Sequence, residues 1–465
     1  MPLVAGIDSS TQSTKIVVCH AGDGTLVRQA QAPHPDGTEI HPDTWWQALT
    51  QACAGGLLED VAAISVAAQQ HGMIVLDEDD RVIRPSLLWN DTRSAQATEE
   101  LIAELGGPAM WAEAVGSVPA PSFTVTKLRW LADTEPEHAR RAQTVLLPHD
   151  WITKQFTGVA VTDRGDASGT GYYSASEGYR PDLIRMAFGR ELSVPRVAAP
   201  SESLPRRHHR DLFPGDLVAA GTGDNMAAAL AVDPQPGDIV VSIGTSGTAF
   251  AATGAVPSDP SGTIAGFADA TGQYLPLVCT LNAARVPEVA SALLGTRRAE
   301  FDRLALQAKP GAQGLTLLPY LAGERTPNLP QATGHLAGVT TDNLTPQNLA
   351  RAFCEGMLCG LADAVDALGD HGVPVERILL IGGGARSVAL RTIAPQILQR
   401  PVLVPEDREY VAVGAARQAA WALAGSDRPP DWGSIRGAEV HEADPLPHIR
   451  ERYAATRASV TFANR

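Results

Sequence analysis

The sequence predicts an α/β protein built from two structurally related halves. Short apolar runs of β character alternate with longer segments of helical period along most of the chain. A strand, a turn of small residues and a returning strand occur twice, over residues 6–18 and 239–252. A segment with two prolines and a glycine, residues 231–238, precedes the second copy. We therefore expect two domains, residues 1–235 and 236–465.

Strands are predicted first, because four short runs of β-branched and apolar residues stand out. They cover residues 3–7, 15–20, 61–68 and 73–77. Helical period predicts helices over residues 44–58, 92–105 and 348–368, and the last of these is apolar enough to be a central buried helix. Residues 176–216 are rich in proline, arginine and short polar steps, which predicts irregular surface structure.

Composition and charge exclude several classes of protein. The 465 residues include 37 basic and 52 acidic side chains, and the net charge of −15 disfavours binding to nucleic acid or to anionic membranes. No apolar run is long enough to span a bilayer, and the first residues lack a signal-peptide pattern, so we expect a cytoplasmic protein. None of the five cysteines forms a C-x-x-C pair, which predicts reduced, mostly buried thiols.

The turns of the two predicted hairpins are candidate phosphate-binding sites, since closely spaced backbone amides are accessible only where side chains are small. The first turn offers Thr11, Gln12 and Ser13, followed by Lys15, and the second offers Gly244 and Thr245. Neither turn has the P-loop pattern, and each by itself is also compatible with an ordinary polar hairpin. Asp8 ends the first strand, so its carboxylate is a candidate Mg²⁺ ligand or a simple turn cap.

A third cluster of glycines follows a predicted strand and precedes a predicted helix. Gly383, Gly384 and Ser387 would place backbone amides at a helix N-terminus, where a nucleotide can approach closely. The same layout is typical of dinucleotide-binding proteins, but Ser387 occupies the position of the third glycine of that fingerprint. An oxidoreductase is therefore the weaker interpretation.

Polar residues at the ends of apolar runs are candidates for a general base and a polyol site. Asp224 and Asn225 follow a Gly-Thr-Gly turn and open an Ala-rich helix, where Asp224 is either a base for a substrate hydroxyl or a first-turn acid favoured by the helix dipole. Gln70 and His71 form a polar junction between two strands, although a lone histidine is more often structural. The ring of Trp89 could pack on the carbon face of a sugar.

Seven motifs together resemble the FGGY carbohydrate kinases. They are GIDSSTQSTK, QQHG, LLWND, GTGDN, SIGTSG, LPYLAGERTP and LIGGGARS, in the order and at the approximate spacing of that family over roughly residues 1–425. The combination of GERTP and QQHG is similar to the pentulose-kinase branch.

The resemblance implies a two-domain actin-like ATPase fold (ribonuclease H-like) with a cleft between the domains. It implies that sugar binds to residues 1–235 and ATP to residues 236–465, and that the γ-phosphoryl group of ATP passes to the 5-hydroxyl of D-xylulose with Mg²⁺ present. Ribulose, gluconate or another polyol are alternative acceptors, and an actin-like ATPase that is not a kinase is the alternative from another class. A homodimer is also implied.

Carried over by position, the resemblance assigns a role to each candidate residue. Asp224 becomes the general base, and Asp8 belongs with Mg²⁺ and the phosphates. The sugar site takes Gln70, His71, Asp224, Asn225 and Trp89, whereas the phosphate and adenosine sites take Asp8, Thr11, Gln12, Ser13, Lys15, Gly244, Thr245, Gly383, Gly384 and Ser387.

Two positions depart from the family pattern. Ser10 stands where many relatives have glycine, which makes the first turn stiffer. Lys15 replaces an arginine of some relatives, so the charge is kept but bidentate contact is lost.

Overall fold

The computed structural model describes residues 1–433 and 435–460 and divides into two compact units. The first unit contains Met1–Asp233, Gly254–Leu275 and Arg408–Ser434, and the second contains Pro234–Thr253, Pro276–Asp407 and Ile435–Arg465. The chain thus returns to the first unit twice after leaving it. The last five residues of the expected second domain, 461–465, lie outside the described residues.

A mixed sheet organises the first unit. Strands Leu3–Ser9 and Ser13–His20 form an antiparallel hairpin that continues into Leu26–Pro33. On its other side, Leu3–Ser9 pairs in parallel with Val61–Ala68, which in turn pairs in parallel with Leu217–Ala219. Because both faces of Leu3–Ser9 and Val61–Ala68 are covered, both strands read as continuous apolar runs rather than alternating ones.

Further short strands and helices complete the first unit, and two of these strands, Ser203–Pro205 and Thr222–Gly223, extend its sheet. The remaining strands of the first unit are Glu39–Ile40, Ile74–Leu76, Ser86–Leu87, Thr144–Leu146, Val161–Asp163, Tyr173–Ser174, Gly178–Tyr179, Arg196–Ala198, Ser203–Pro205, Thr222–Gly223 and Ala265–Ala268. Its helices are Pro42–Ala52, Ala95–Glu104, Pro108–Val115, Thr124–Thr134, Pro136–Arg141, Pro148–Thr157, Arg164–Ala167, Pro181–Phe188, Asp224–Val232 and Tyr410–Ala424.

The last of these helices packs very closely on the sheet and on its neighbour. A Cβ on Gly6 would lie 1.8 Å from the Ala412 carbonyl oxygen, and a Cβ on Gly414 would lie 1.8 Å from the Ala227 carbonyl oxygen. Glycine is therefore required at both positions, since any side chain would separate the backbones. This packing holds the first strand and the start of helix Asp224–Val232 in a fixed relation.

A second mixed sheet organises the second unit. Strands Asp238–Ile243 and Gly247–Phe250 form an antiparallel hairpin, and Asp238–Ile243 also pairs in parallel with Arg377–Ile381. The sheet continues through Tyr274–Thr280 on one side and through Val402–Val404 and Glu439–His441 on the other. Thr316–Leu318 and His335–Ala337 form a separate hairpin. The helices are Arg285–Leu293, Arg298–Gln307, Pro346–Asp370, Val388–Leu398 and Pro447–Ser459, with short 3₁₀ turns at Ala312–Gly314 and Gly383–Arg386.

The repeated strand–turn–strand pattern is confirmed, because in each unit the predicted segment forms an antiparallel hairpin whose first strand also pairs with a parallel strand. The long buried helix is also confirmed at Pro346–Asp370, with Thr345 as its N-cap. The helix predicted over 44–58 is wrong at its end, since it stops at Ala52 and is followed by Gly55 and Gly56 at positive φ. The irregular structure predicted over 176–216 is wrong for helix Pro181–Phe188 and for three short strands.

The third glycine cluster differs from its prediction. Gly383 and Gly384 lie in a 3₁₀ turn, and the helix begins only at Val388 with Ser387 as its N-cap.

All five cysteines are free, and four of them are buried. Among the described residues, no helix combines the length and apolarity needed to cross a membrane.

Candidate active site

The turn of the first hairpin is built around Asp8. The Asp8 carboxylate is buried and accepts a 2.6 Å hydrogen bond from the Ser10 hydroxyl. His34 contacts the Ser10 carbonyl and the Thr14 hydroxyl, each at 2.9 Å, and so joins the two ends of the turn. Ser10 therefore adds a contact that glycine could not make, and it holds the Asp8 carboxylate in place.

Lys15 lies directly opposite Asp8 in the antiparallel register, so both side chains project from the same face of the hairpin. Its ammonium group is 2.7 Å from a carboxylate oxygen of Glu409, which precedes helix Tyr410–Ala424. Glu409 was not predicted as a site residue. Because 394 residues separate it from Lys15, no local pattern in the sequence could have indicated the pair.

Asp224 opens helix Asp224–Val232, at the end of two short strands that extend the first sheet. One carboxylate oxygen, Oδ1, accepts hydrogen bonds of 2.8 Å from the backbone amide and 2.9 Å from the side-chain amide of Asn225. The first-turn interpretation is thus correct in part, but these bonds occupy one oxygen only. The other oxygen can accept a proton from a ligand.

Gln70 and Asn225 form a polar pair beside Asp224. The Asn225 side-chain amide donates a 3.0 Å hydrogen bond to the Gln70 carbonyl oxygen. The Gln70 side-chain nitrogen is buried and has no partner within the part of the chain that the structure describes. A buried donor without an acceptor is costly, so this nitrogen is a suitable contact for a hydroxyl group.

His71 and Trp89 belong to the same unit. His71 adopts a positive φ of 67°, and its Nδ1 lies 2.6 Å from the Gly169 carbonyl oxygen while its ring stacks on Phe123 at 4.8 Å. The Trp89 ring nitrogen donates a 2.9 Å hydrogen bond to the Thr11 hydroxyl, which places the ring beside the first turn. Gln12 and Ser13 complete this turn, and the Gln12 side chain is exposed.

The turn of the second hairpin is exposed at Gly244 and Thr245. The amides of Ala283 and Ala284 donate to the carbonyl oxygens of Thr245 and Gly244, at 3.3 and 2.9 Å. These bonds hold the turn through its carbonyl groups and leave the opposite side of the backbone to solvent.

A buried carboxylate, Glu324, supports the chain next to this turn. It accepts hydrogen bonds of 2.6 Å from the Leu281 amide and 2.9 Å from the Asn282 side chain. The sequence singled out the GERTP segment only as a family motif, whereas the structure gives its glutamate a bracing role.

The third glycine cluster contributes backbone rather than side chains. A Cβ on Gly384 would lie 2.2 Å from a side-chain carbon of Ile243, so glycine permits close packing there, whereas a Cβ on Gly383 would meet nothing within 4 Å. The Ser387 hydroxyl donates a 2.7 Å hydrogen bond to Asp302 and accepts from the Leu390 amide. Ser387 therefore holds the turn in shape, and the open surface is at Gly383.

Electrostatics within the first unit couple Asp8 to Asp224. Burial raises the pKa of Asp8 to about 6, against the lowering effects of Ser10 and Lys15. Burial also raises the pKa of Asp224 to about 7, and the charges of Asp8 and Asp166 act in the same direction. Because the charge of Asp8 raises the pKa of Asp224, a cation at Asp8 would weaken this effect. A Mg²⁺ ion usually takes one or two carboxylates together with phosphate oxygens and water, so the donor set fits.

The first unit thus brings together most of the predicted residues: Asp8, Thr11, Lys15, Gln70, His71, Trp89, Asp224 and Asn225. The second unit contains Gly244, Thr245, Gly383, Gly384 and Ser387. Among residues 1–433 and 435–460, no group of three or more His, Cys, Asp or Glu side chains is arranged to hold a metal by itself. A metal at Asp8 would therefore depend on oxygen ligands from a nucleotide.

Sequence comparison identifies the family. Residues 3–231 match the N-terminal domain of the FGGY family of carbohydrate kinases, and residues 239–423 match its C-terminal domain. The chain belongs to the FGGY family of carbohydrate kinases. This kinase is 48% identical to the xylulose kinase of Streptomyces coelicolor over 92% of its own length and 89% of that protein. It is 34% identical to the xylulose kinase of Escherichia coli K12, with 84% of each chain covered.

Solved structures agree with this assignment. The kinase is similar to the crystal structure of xylulose kinase from Bifidobacterium adolescentis, with a TM-score of 0.87 and 42% identity over 98% of this chain and 99% of the other. Glycerol kinase from Plasmodium falciparum shares the fold, with a TM-score of 0.84 at 18% identity over 99% of each chain. The predicted two-domain kinase fold of the actin-like ATPase class is confirmed. Because the chain belongs to a family of carbohydrate kinases, the interpretations as an oxidoreductase and as a non-kinase ATPase are both rejected.

Proposed function

We propose that this kinase transfers the γ-phosphoryl group of ATP to the 5-hydroxyl of D-xylulose, giving D-xylulose 5-phosphate and ADP. The observation that carries the proposal is the arrangement around Asp224, where a half-buried carboxylate with one uncommitted oxygen lies beside the polar pair Gln70 and Asn225. The xylulose kinases that match at up to 48% identity support the choice of sugar.

Sugar recognition is assigned to the first unit. The buried nitrogen of Gln70 would donate to a sugar hydroxyl, and Asn225 and His71 would complete the polar wall. Trp89, held by its hydrogen bond to Thr11, would present its ring to the carbon face of the sugar.

Nucleotide binding is assigned to the two small-residue turns and to the third glycine cluster. Thr11, Gln12, Ser13 and Lys15 would contact the phosphates from the first unit, and Gly244 and Thr245 from the second. Gly383 and Gly384 would offer backbone to the adenosine, with Ser387 fixing their turn through Asp302.

Phosphoryl transfer needs a base, an oriented hydroxyl and neutralised charge. Asp224 would orient the sugar hydroxyl and accept its proton, which typically contributes about 10²–10⁴-fold to the rate. Asp8 would hold Mg²⁺, which when bound neutralises charge on the phosphate oxygens. Lys15 and the turn amides would stabilise charge on the equatorial oxygens, where most of it lies in a loose transition state.

The test of this function is sugar-dependent release of ADP. The kinase is assayed with ATP and Mg²⁺ against D-xylulose, D-ribulose, gluconate and glycerol, and without any acceptor. We expect the highest kcat/KM with D-xylulose and little ADP without sugar. A higher kcat/KM with another acceptor would reassign the substrate, and equal ADP release without sugar would contradict a kinase.

The role of Asp224 is tested separately with Asp224→Asn and Asp224→Ala. Each should lower turnover by about 10²-fold or more, because no other side chain replaces the base. Binding of ATP, measured by calorimetry, should stay near the wild-type value. Near-normal turnover in both variants would remove Asp224 from the mechanism.

Two further properties are part of the proposal. We expect a cytoplasmic enzyme, because one of its proposed substrates, ATP, is a metabolite of the cell interior. We also expect a homodimer, which light scattering on the purified kinase would test.

A further inference from the structure

A fully buried ionic cluster lies in the first unit beside the segment that carries Asp224. His149 contacts Asp166 through Nδ1 at 2.7 Å, and its Nε2 lies 3.3 Å from Asp150 and 4.0 Å from Asp163. All four side chains are at most 3% exposed. None of them has a role in the mechanism proposed above.

The cluster contains one stable positive charge. Burial lowers the pKa of His149, but the carboxylates of Asp150, Asp166 and Asp163 outweigh this effect and raise it to about 9. His149 is therefore an imidazolium ion at neutral pH, and its contact with Asp166 is a charge-assisted hydrogen bond.

Asp166 is anchored on one oxygen only. Oδ2 accepts from His149, whereas Oδ1 has no hydrogen-bond partner within residues 1–433 and 435–460. A Cβ on Gly223 would lie 3.1 Å from this second oxygen, so Oδ1 lies close to the residue that immediately precedes Asp224 and leaves little room for a side chain there.

A second contact joins the same two segments. The Thr222 hydroxyl donates a 2.8 Å hydrogen bond to Asp163, and Asp163 in turn accepts from the Asp166 amide at 2.9 Å. The chain before the helix Asp224–Val232 is thus held at two successive residues, Thr222 and Gly223.

We propose that Asp166 is a positioning residue for Asp224: it fixes the start of the helix that presents this carboxylate, and it places a second buried carboxylate beside the residue that precedes it. The proposal rests on the proposed function, in which Asp224 is the base. A buried charge that cannot be reached by solvent is screened little, so it acts on Asp224 at any salt concentration.

The titratable groups around Asp166 must be known before a change in the pKa of Asp224 can be assigned to this residue. They are His149 and Asp150 on one helix, Asp163 before the next, the Tyr172 hydroxyl, and Asp224 itself. Of the carboxylates in the cluster, Asp166 is the one with a resolved effect on Asp224, whose pKa it helps to raise. Asp150 has equal burial and the same histidine partner, which makes it a matched control.

The experiment compares Asp166→Asn with Asp150→Asn by the pH profile of kcat/KM for D-xylulose at saturating Mg·ATP. The amide keeps the shape of the side chain and can still accept from His149, but it removes the charge. We expect the acid limb of Asp166→Asn to move to lower pH by about 0.5 to 1 unit and kcat to fall by about 3–10-fold. The limb of Asp150→Asn should coincide with that of the wild type.

Several outcomes separate this role from a structural one. The position of the limb does not depend on the amount of active enzyme, so it can be measured even where a variant folds only in part. Asp166→Glu keeps the charge and should keep the wild-type limb at reduced kcat. The proposal is overturned if the acid limb of the pH profile stays in place in Asp166→Asn. It is also overturned if Asp150→Asn moves that limb by the same amount. Failure of the proposed function would appear instead as normal turnover of Asp224→Asn.

Discussion

At the scale of single residues, the proposed base Asp224 makes the reaction depend on pH. Its pKa is raised to about 7 by burial and by the charges of Asp8 and Asp166. A protonated carboxyl group cannot accept the proton of the sugar hydroxyl, so kcat/KM should fall as the pH drops through about 7 and level off above it. The measurement is a pH profile from 5.5 to 9 in a coupled ADP assay. The residual activity of Asp224→Asn should lack this limb, and a wild-type profile that is flat across the range would contradict the prediction.

Lys15 supplies the second prediction at this scale. Its ammonium group lies on the same face of the hairpin as Asp8 and is paired with Glu409. Lys15→Met removes the charge and keeps the unbranched stem. Because a hydrogen bond to a charged group contributes roughly 1.5–3 kcal/mol, the KM for ATP should rise by about tenfold or more, with a smaller change in the KM for sugar.

The matched control for this variant is Lys154→Met. Lys154 is also paired with a carboxylate, Asp80 at 3.0 Å, but it is not among the candidate site residues. Its KM for ATP should equal that of the wild type. Equal values in both variants would remove Lys15 from the nucleotide site.

At the scale of secondary structure, the fit of helix Tyr410–Ala424 depends on glycine. A Cβ on Gly414 would lie 1.8 Å from the Ala227 carbonyl oxygen, and neither backbone can give way without disturbing the helix that carries Asp224. We expect Gly414→Ala to destabilise the protein by about 3 kcal/mol or more, as measured by urea denaturation.

Gly360 provides the control for this substitution. It lies inside the helix Pro346–Asp370, where the nearest atom to a new Cβ is the Tyr453 hydroxyl at 3.7 Å. Gly360→Ala should leave stability unchanged or raise it by up to about 1 kcal/mol, because alanine is the better helix former. If both variants lost the same stability, helix propensity rather than close packing would be responsible.

At the scale of the whole molecule, the chain closes the first unit only near its C-terminus. Helix Tyr410–Ala424 covers the sheet of that unit with a buried surface that includes Val413, Ala416 and Ala420. A chain that ends at residue 407 lacks this cover, so its first unit should not fold. A chain that ends at residue 434 retains the helix and should keep a native first unit.

Near-UV circular dichroism and sugar-induced tryptophan fluorescence distinguish the two truncated chains. We expect native signals for the chain 1–434 and none for the chain 1–407. Equal native signals from both would mean that the sheet does not need this helix. Loss of the native signals in both chains would mean that the first unit needs residues beyond 434 to be stable.

Several parts of the site could be predicted because their signal is local. Asp8, Gly244 and Asp224 each lie at or next to the end of a strand, Lys15 lies near the start of the returning strand, and the structure has those strands. The end of the helix Pro42–Ala52 and the helix Pro181–Phe188 were mispredicted for a related reason. In the first case, the apolar residues keep a helical period beyond the point where glycines end the helix. In the second case, proline and arginine residues hide the helical period.

The sequence by itself determined the α/β class, the two repeated hairpins, the kinase family and the residues that carry its motifs. The tertiary structure alone decided that Glu409 meets Lys15, that His149 meets Asp166, and that a C-terminal helix packs on the first strand. Local conformation follows from spacing and turn chemistry within a few residues, so it can be read along the chain. Contacts between residues of different elements leave no periodic pattern, whether 17 or 394 positions separate them, and they arise only when burial brings those segments together.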